Sequence, residues 1–101
     1  MVVRVVWTER SIGDLEDIRS YVASDRPRAA TRLATRLFNA GQSLEHFPRR
    51  GRPIGDNWRE LTSVRPYLIR YRIRDDVVEI LTIRHGARRL DPVHLTSGPD
   101  T

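Results

Sequence analysis

Residues 65–89 read RPYLIRYRIRDDVVEILTIRHGARR, and this stretch decides the fold. Apolar and basic side chains alternate over residues 67–74, which predicts a strand with one face in a core and the other in water. Asp75-Asp76 fits a tight hairpin turn, and residues 77–84 are apolar on both faces, as expected of a central strand. We therefore predict two antiparallel strands that carry His85 and several arginines to one end of a sheet.

The residues before this hairpin predict a first strand and two helices. Residues 2–7 are β-branched and apolar, which is typical of a short buried strand. Thr8 offers an N-cap to an amphipathic helix over residues 9–24. A second helix is predicted over residues 27–47, because Pro27 suits a first helical turn and apolar residues then recur at helical spacing. Two helices joined by so short a turn should pack as a hairpin.

The remaining segment completes the predicted sheet. Residues 49–57 are rich in arginine, glycine and proline and predict a basic loop, whereas residues 58–64 alternate weakly and predict a strand. The resulting order, β-α-α-β-β-β, predicts an α+β domain in which a twisted, largely antiparallel four-stranded sheet carries the N-terminal helical hairpin on its apolar face. Residues 1–92 are expected to form this single domain, and residues 93–101 a flexible C-terminal tail.

The composition narrows the classes of function. The chain has 101 residues, of which 39% are hydrophobic, and no apolar run approaches the ~20 residues needed to span a bilayer, so we expect a soluble, cytoplasmic protein. It contains no cysteine, which excludes thiolate nucleophiles, and no metal or cofactor is expected. All 18 basic residues are arginine and the formal net charge is +5, which favours acidic or nucleic-acid partners.

Several short signatures follow one another along nearly the whole chain. They are Trp7-Thr8, Asp14-Leu15-Glu16-Asp17-Ile18 with Tyr21, Pro27 with Ala29-Ala30, Leu44-Glu45-His46-Phe47-Pro48 with Gly51-Arg52, Arg59-Glu60-Leu61, Pro66-Tyr67-Leu68-Ile69-Arg70-Tyr71 and His85-Gly86-Ala87-Arg88. In this order and spacing they resemble the RelE/ParE toxin superfamily, and its ParE-like branch more than its mRNA-cleaving branch.

The resemblance implies a toxin of a bacterial type II toxin–antitoxin system, neutralised by a cognate ParD-like antitoxin. ParE-like members inhibit DNA gyrase by binding, whereas RelE-like members cleave mRNA on the ribosome without a metal. Because both use one fold, the target has to be argued from residues. We predict that the protein inhibits DNA gyrase by binding, has no catalytic residues, needs no cofactor and does not act at a membrane. The alternative is a RelE-like ribosome-dependent mRNA endoribonuclease.

The alternative would need a base, an acid and cations that stabilise a phosphorane-like transition state. Its candidate catalytic residues are His85, Arg84, Arg65 and Glu60. The chain has no lysine, and Gly86 stands where nuclease relatives tend to carry an aromatic residue. We therefore predict that His85 orders the end of the strand rather than acting as a general base.

Two partner surfaces are predicted. Target-binding candidates are the arginines Arg70, Arg72, Arg74, Arg84, Arg88 and Arg89, although the first three also fit a plain solvated strand face. The resemblance implies that the antitoxin packs an amphipathic helix on the helical hairpin and often adds a strand to the sheet, with contacts to Leu15, Ile18, Val22, Leu37 and Arg70.

Most of the apolar residues on this hairpin are nevertheless explained most simply as core residues. Ile12, Leu33 and Leu44 belong to the same apolar stripe, and the aromatic residues Trp7, Trp58 and Phe38 are expected in the core before they are expected as partner anchors. A plain basic nucleic-acid-binding module is disfavoured, because the charge is spread over helices, loop and sheet.

Overall fold

The computed structural model describes residues 3–86, which form an α+β fold with two helices and a five-stranded sheet. The elements are β1 (Arg4–Trp7), α1 (Glu9–Ala23), α2 (Pro27–Gln42), a 3₁₀ turn (Ser43–Glu45), β2 (Arg52–Gly55), β3 (Trp58–Leu61), β4 (Tyr67–Arg74) and β5 (Val77–His85). The strand order is β1-β5-β4-β3-β2, with β1 parallel to β5 and the other pairs antiparallel. Neither helix of this described region has the length and apolarity that crossing a membrane requires.

The sheet has one strand more than the sequence predicted. The segment 49–57, predicted as a loop, contains β2, which pairs with β3 through Arg52 opposite Glu60. β2 is short, contains Pro53 and has a register shift before Gly55, so no apolar alternation marks it in the sequence. Pairing with β3 therefore makes this segment a strand.

The predicted helix ends are mostly confirmed. Thr8 caps α1, because its Oγ1 accepts a hydrogen bond from the Ser11 N–H at 3.1 Å, and Pro27 begins α2 as predicted. The second helix ends at Gln42 rather than near residue 47, because a 3₁₀ turn replaces its last turn. The Asp75 backbone has φ 57, as a tight hairpin turn requires.

The core lies between the helices and one face of the sheet. Leu37 and Leu44 are fully buried in it, and Leu15, Ile18 and Leu33 pack against it while partly exposed. The prediction that Ile12 is a core residue is wrong, since this side chain is 57% exposed. The neighbouring residue takes the inward position: Ser11 is buried, and its hydroxyl donates to the Thr8 carbonyl at 2.8 Å.

A carboxylate joins α1 to the sheet at an irregularity of β5. Between the pairs Arg70–Thr82 and Tyr71–Ile80, β5 holds one residue more than β4. Asp14 on α1 meets this bulge, because its Oδ2 accepts from the Ile83 N–H at 3.0 Å and from the Thr82 hydroxyl. Asp14 thus satisfies a donor of the bulged strand and fixes α1 over β5.

Gly41 marks the closest approach of α2 to the sheet. A Cβ at this position would lie 2.5 Å from Cζ2 of Trp7 and 2.9 Å from Cδ1 of Ile80. Gly41→Ala should therefore lower the free energy of unfolding by about 1–3 kcal/mol, although alanine is the better helix former.

The matched control is Gly13→Ala in α1, where a Cβ would meet nothing within 4 Å. This change should raise the free energy of unfolding by up to about 1 kcal/mol. Urea unfolding of both variants measures the two effects. The same sign for both would contradict the packing argument.

Candidate functional site

The sheet has a second face, opposite the helices, which we call the open face. Paired residues share a face, so Trp58, Arg72 and Glu79 lie side by side across β3, β4 and β5. In the same way Glu60 lies between Arg52 and Arg70. The charged and aromatic side chains assigned to the open face by this register are Arg4, Arg52, Trp58, Glu60, Arg70, Arg72, Arg74, Glu79 and Arg84.

Glu60 organises the half of the open face that is nearer to β2. Its side chain is 1% exposed, and its two oxygens accept from Nη2 of Arg52 at 2.8 Å and from Nε of Arg70 at 3.1 Å. A buried carboxylate is tolerated only when it is paired and hydrogen-bonded, and two guanidinium groups supply both conditions. Glu60 therefore joins three strands through charge.

Glu79 organises the other half of the open face. Its Oε1 accepts from Nε of Arg72 at 2.8 Å and from Nη2 of Arg74 at 3.3 Å. The hydrogen bond from Arg72, with a smaller contribution from Arg74, holds the pKa of Glu79 below its usual value. The Arg72 guanidinium also lies over the Trp58 ring, 5.9 Å from its centroid.

The open face brings together residues that are far apart in the sequence. The predicted target-binding residues Arg70, Arg72, Arg74 and Arg84 all lie on it, whereas the predictions for Arg88 and Arg89 fall outside the described residues. Sequence reasoning did not place Arg4, Arg52 or Trp58 on this face. Arg52 was missed because β2 was taken for a loop, so nothing in the local pattern placed it beside β4.

Of the catalytic candidates of the nuclease alternative, Glu60 lies apart from His85. His85 ends β5 with its ring edge-on to Tyr67, at a centroid distance of 5.3 Å. His85 is paired with Tyr67 on β4, whereas Glu60 is paired with Arg70, three residues further along β4. Glu60 therefore lies about 10 Å from His85 along the strands and roughly 10 Å from it across them. Arg65 is exposed between β3 and β4.

The residues predicted to bind the antitoxin do not share one surface, and their role stays a prediction. Leu37 has no exposed surface, and Arg70 lies on the face of the sheet opposite the helices. Leu15, Ile18 and Val22 are partly exposed.

Two aromatic residues expected in the core are exposed instead. Phe38 is an exposed residue of α2 that stacks on Trp7 at 5.4 Å, and Trp58 is exposed on the open face. Trp7 itself is half-buried, and its Nε1 donates to Gln42 at 2.7 Å. Among residues 3–86, no group of histidine and acidic side chains is arranged to hold a metal ion.

Comparisons with known proteins agree with this architecture. Residues 5–90 match a family model described as ParE toxin of type II toxin-antitoxin system, parDE. Toxin RelE2 of Caulobacter vibrioides is 47% identical over 87 residues, which is 86% of this chain and 99% of that protein. Toxin RelE1 of the same organism is 34% identical over 89 residues, covering 85% of this chain and 96% of the relative.

A solved structure shares the fold. A chain of the chromosomal ParDE TA system from P. aeruginosa matches with a TM-score of 0.76 and covers 83% of this chain and 96% of its own. The two sequences are 22% identical, so this likeness concerns the fold alone.

Proposed function

Because the chain belongs to the ParE toxin family of type II toxin–antitoxin systems, we propose that it inhibits DNA gyrase by binding and is neutralised by a cognate ParD-like antitoxin. The resemblance to RelE/ParE toxins inferred from the sequence is confirmed by the family match and the relatives. Gyrase acts on DNA in the cytoplasm, and we place the toxin's action there too.

The observation that carries the choice of binding over chemistry is the pairing of the open-face carboxylates. Glu60 and Glu79 each hold two arginines, and the pKa of Glu79 is lowered by hydrogen bonds from Arg72 and Arg74. A general acid or base works best with a pKa near the working pH and direct access to its substrate. Carboxylates fixed in this way support an array of cations that binds an anionic partner.

One observation favours the endoribonuclease as a second candidate. Arg84 and His85 are the last two residues of β5, where Arg84 lies on the open face and His85 points to the other face with its ring against Tyr67. A histidine next to an arginine can support cleavage through a 2′-hydroxyl. Glu60, the acid named for this candidate, lies two strands away from His85.

A supercoiling assay separates the two candidates. Purified toxin should inhibit negative supercoiling by gyrase and leave mRNA intact in a translation extract. Arg72→Ala should weaken the inhibition at least about tenfold, because it removes a charge and the support of Trp58. Arg36→Ala, which removes one exposed arginine from α2, is the matched control and should change it by less than about twofold. Undisturbed supercoiling together with mRNA cleavage would replace gyrase by the ribosome as the target.

The antitoxin is proposed to cover the apolar residues that the two helices leave exposed. Ile12 and Phe38 are exposed on α1 and α2, and Leu15, Ile18 and Val22 are partly exposed. An amphipathic helix would bury them. In the same supercoiling assay, the antitoxin should rescue gyrase from wild-type toxin but fail to rescue it from Phe38→Glu toxin. Full rescue from the variant would place the antitoxin on another surface.

A further inference from the structure

We propose that the open face binds single-stranded DNA directly, with phosphates on its arginines and a base stacked on Trp58. The inference rests on the proposed function, because gyrase is the target that would present broken DNA to this face. It goes beyond that function by naming the chemical partner of the arginines.

The first support is the spacing and excess of positive charge. Arg70, Arg72 and Arg74 follow one another at every second position of β4, so their Cα atoms are about 6.8 Å apart along the strand. This repeat is close to the phosphate repeat of an extended nucleic-acid strand. Neighbouring strands add Arg52 and Arg84, and the arginines of the open face outnumber its carboxylates.

The second support is that ion pairs hold the arginines in place while leaving them further N–H donors. Arg70 engages Glu60 through Nε, and Arg52 does so through Nη2. Each guanidinium has five N–H donors, so further donors remain for phosphate oxygens. Because Glu60 and Glu79 already fix these side chains, a ligand would lose less entropy in ordering them.

The third support is Trp58, and it decides between a nucleic acid and an acidic protein. The residue is 37% exposed on β3, with the Arg72 guanidinium over its ring. Proteins that bind single strands combine cationic grooves with aromatic rings on which bases stack. An acidic peptide would pair with the arginines but has no base to stack on the indole. In duplex DNA the bases are stacked inside the helix, so none is available to Trp58. Single-stranded DNA uses both features.

Fluorescence anisotropy of a labelled oligothymidylate tests the proposal on the purified full chain. Trp58→Ala should weaken binding about 5- to 150-fold, the range expected for loss of one stacked base, and Trp58→Phe should restore most of the affinity. Arg74→Ala should weaken binding and reduce the slope of log affinity against log salt by about 0.7. The exposed α2 residue Arg36, replaced by alanine, is the charge-matched control and should change affinity by less than about twofold. Urea unfolding of each variant checks that it is folded.

Several outcomes would overturn the proposal. Equal affinity of wild type and a folded Trp58→Ala variant would show that no base stacks on Trp58. Tighter binding of polyglutamate would assign the face to an acidic protein, and at least tenfold tighter binding of oligouridylate or of duplex DNA would assign it to RNA or to duplex. Because the anisotropy assay contains no gyrase, the two hypotheses can fail separately. A toxin that inhibits supercoiling but does not bind the oligonucleotide refutes only the DNA-binding inference. A toxin that binds the oligonucleotide but does not inhibit supercoiling refutes only gyrase as the target.

Discussion

Tyr71→Phe is expected to lower the free energy of unfolding by about 2–4 kcal/mol, because it leaves two backbone groups without their partner. The Tyr71 side chain is fully buried, and its hydroxyl donates to the Pro48 carbonyl at 2.7 Å while accepting from the Gly51 N–H at 2.8 Å. Gly51 is buried as well, so water cannot easily replace the lost acceptor. Arg59 also holds this segment, since its Nη1 donates to the Gly51 carbonyl at 2.6 Å. We call these hydrogen bonds of Tyr71 and Arg59 to residues 48–51 the clamp.

The matched control for this prediction is Tyr67→Phe on the same strand. The Tyr67 hydroxyl makes no hydrogen bond within residues 3–86, so its removal should change the free energy of unfolding by less than about 0.5 kcal/mol. Urea unfolding measures both variants, and amide exchange at Gly51 reports whether the clamp has opened. Equal losses for the two variants would show that the Tyr71 hydroxyl bonds contribute little.

The same hydroxyl gives the protein a dependence on alkaline pH. Burial raises the pKa of Tyr71, against smaller lowering effects of the Gly51 hydrogen bond and of Arg59. Because the folded state favours the neutral phenol, its stability is complete below the ordinary tyrosine pKa of about 10 and falls as the pH rises above it. Tyr71→Phe should remove this part of the alkaline decline.

The hairpin of β4 and β5 could be predicted from the sequence because its signals are local. Alternation along β4 separates core from water, and Asp75 accepts the backbone conformation of the turn. β2 has no such signal, because Pro53 and a register shift break its pattern, and its pairing with β3 alone makes it a strand. Ile12 shows the converse, since helical spacing alone cannot decide which of two adjacent residues faces inward.

The candidate site divides in the same way. The Arg70, Arg72 and Arg74 row follows from alternation within one strand, and it could be predicted. Arg52 reaches that row only because β2 joins the sheet edge, and the burial of Glu60 depends on arginines from two other strands. In the sequence, Glu60 is a carboxylate beside an arginine, which fits a proton-transfer group as well as an ion pair. The pairing register of distant strands decides between these two roles of Glu60, and no local sequence pattern predicts that register.

Glu60→Gln is expected to lower the free energy of unfolding by about 2–4 kcal/mol, since it removes the charge that compensates two guanidinium groups. Loss of one partner of a buried ion pair leaves the other charge uncompensated. Here Arg70 is the sensitive partner, because its side chain is 24% exposed, whereas Arg52 is 62% exposed and can be rehydrated. The expected loss is therefore somewhat smaller than the ~3–5 kcal/mol typical of fully buried pairs.

Glu79→Gln is the matched control, because Glu79 also holds two arginines but is itself 26% exposed. Water can replace much of its pairing, so the loss should be less than about 1 kcal/mol. Urea unfolding of both variants measures the difference, and a loss for Glu79→Gln as large as that for Glu60→Gln would contradict the burial argument. The Glu60→Gln toxin also bears on mechanism, because the amide cannot transfer a proton. If this variant remains folded and still inhibits gyrase, the Glu60 carboxylate takes no part in chemistry.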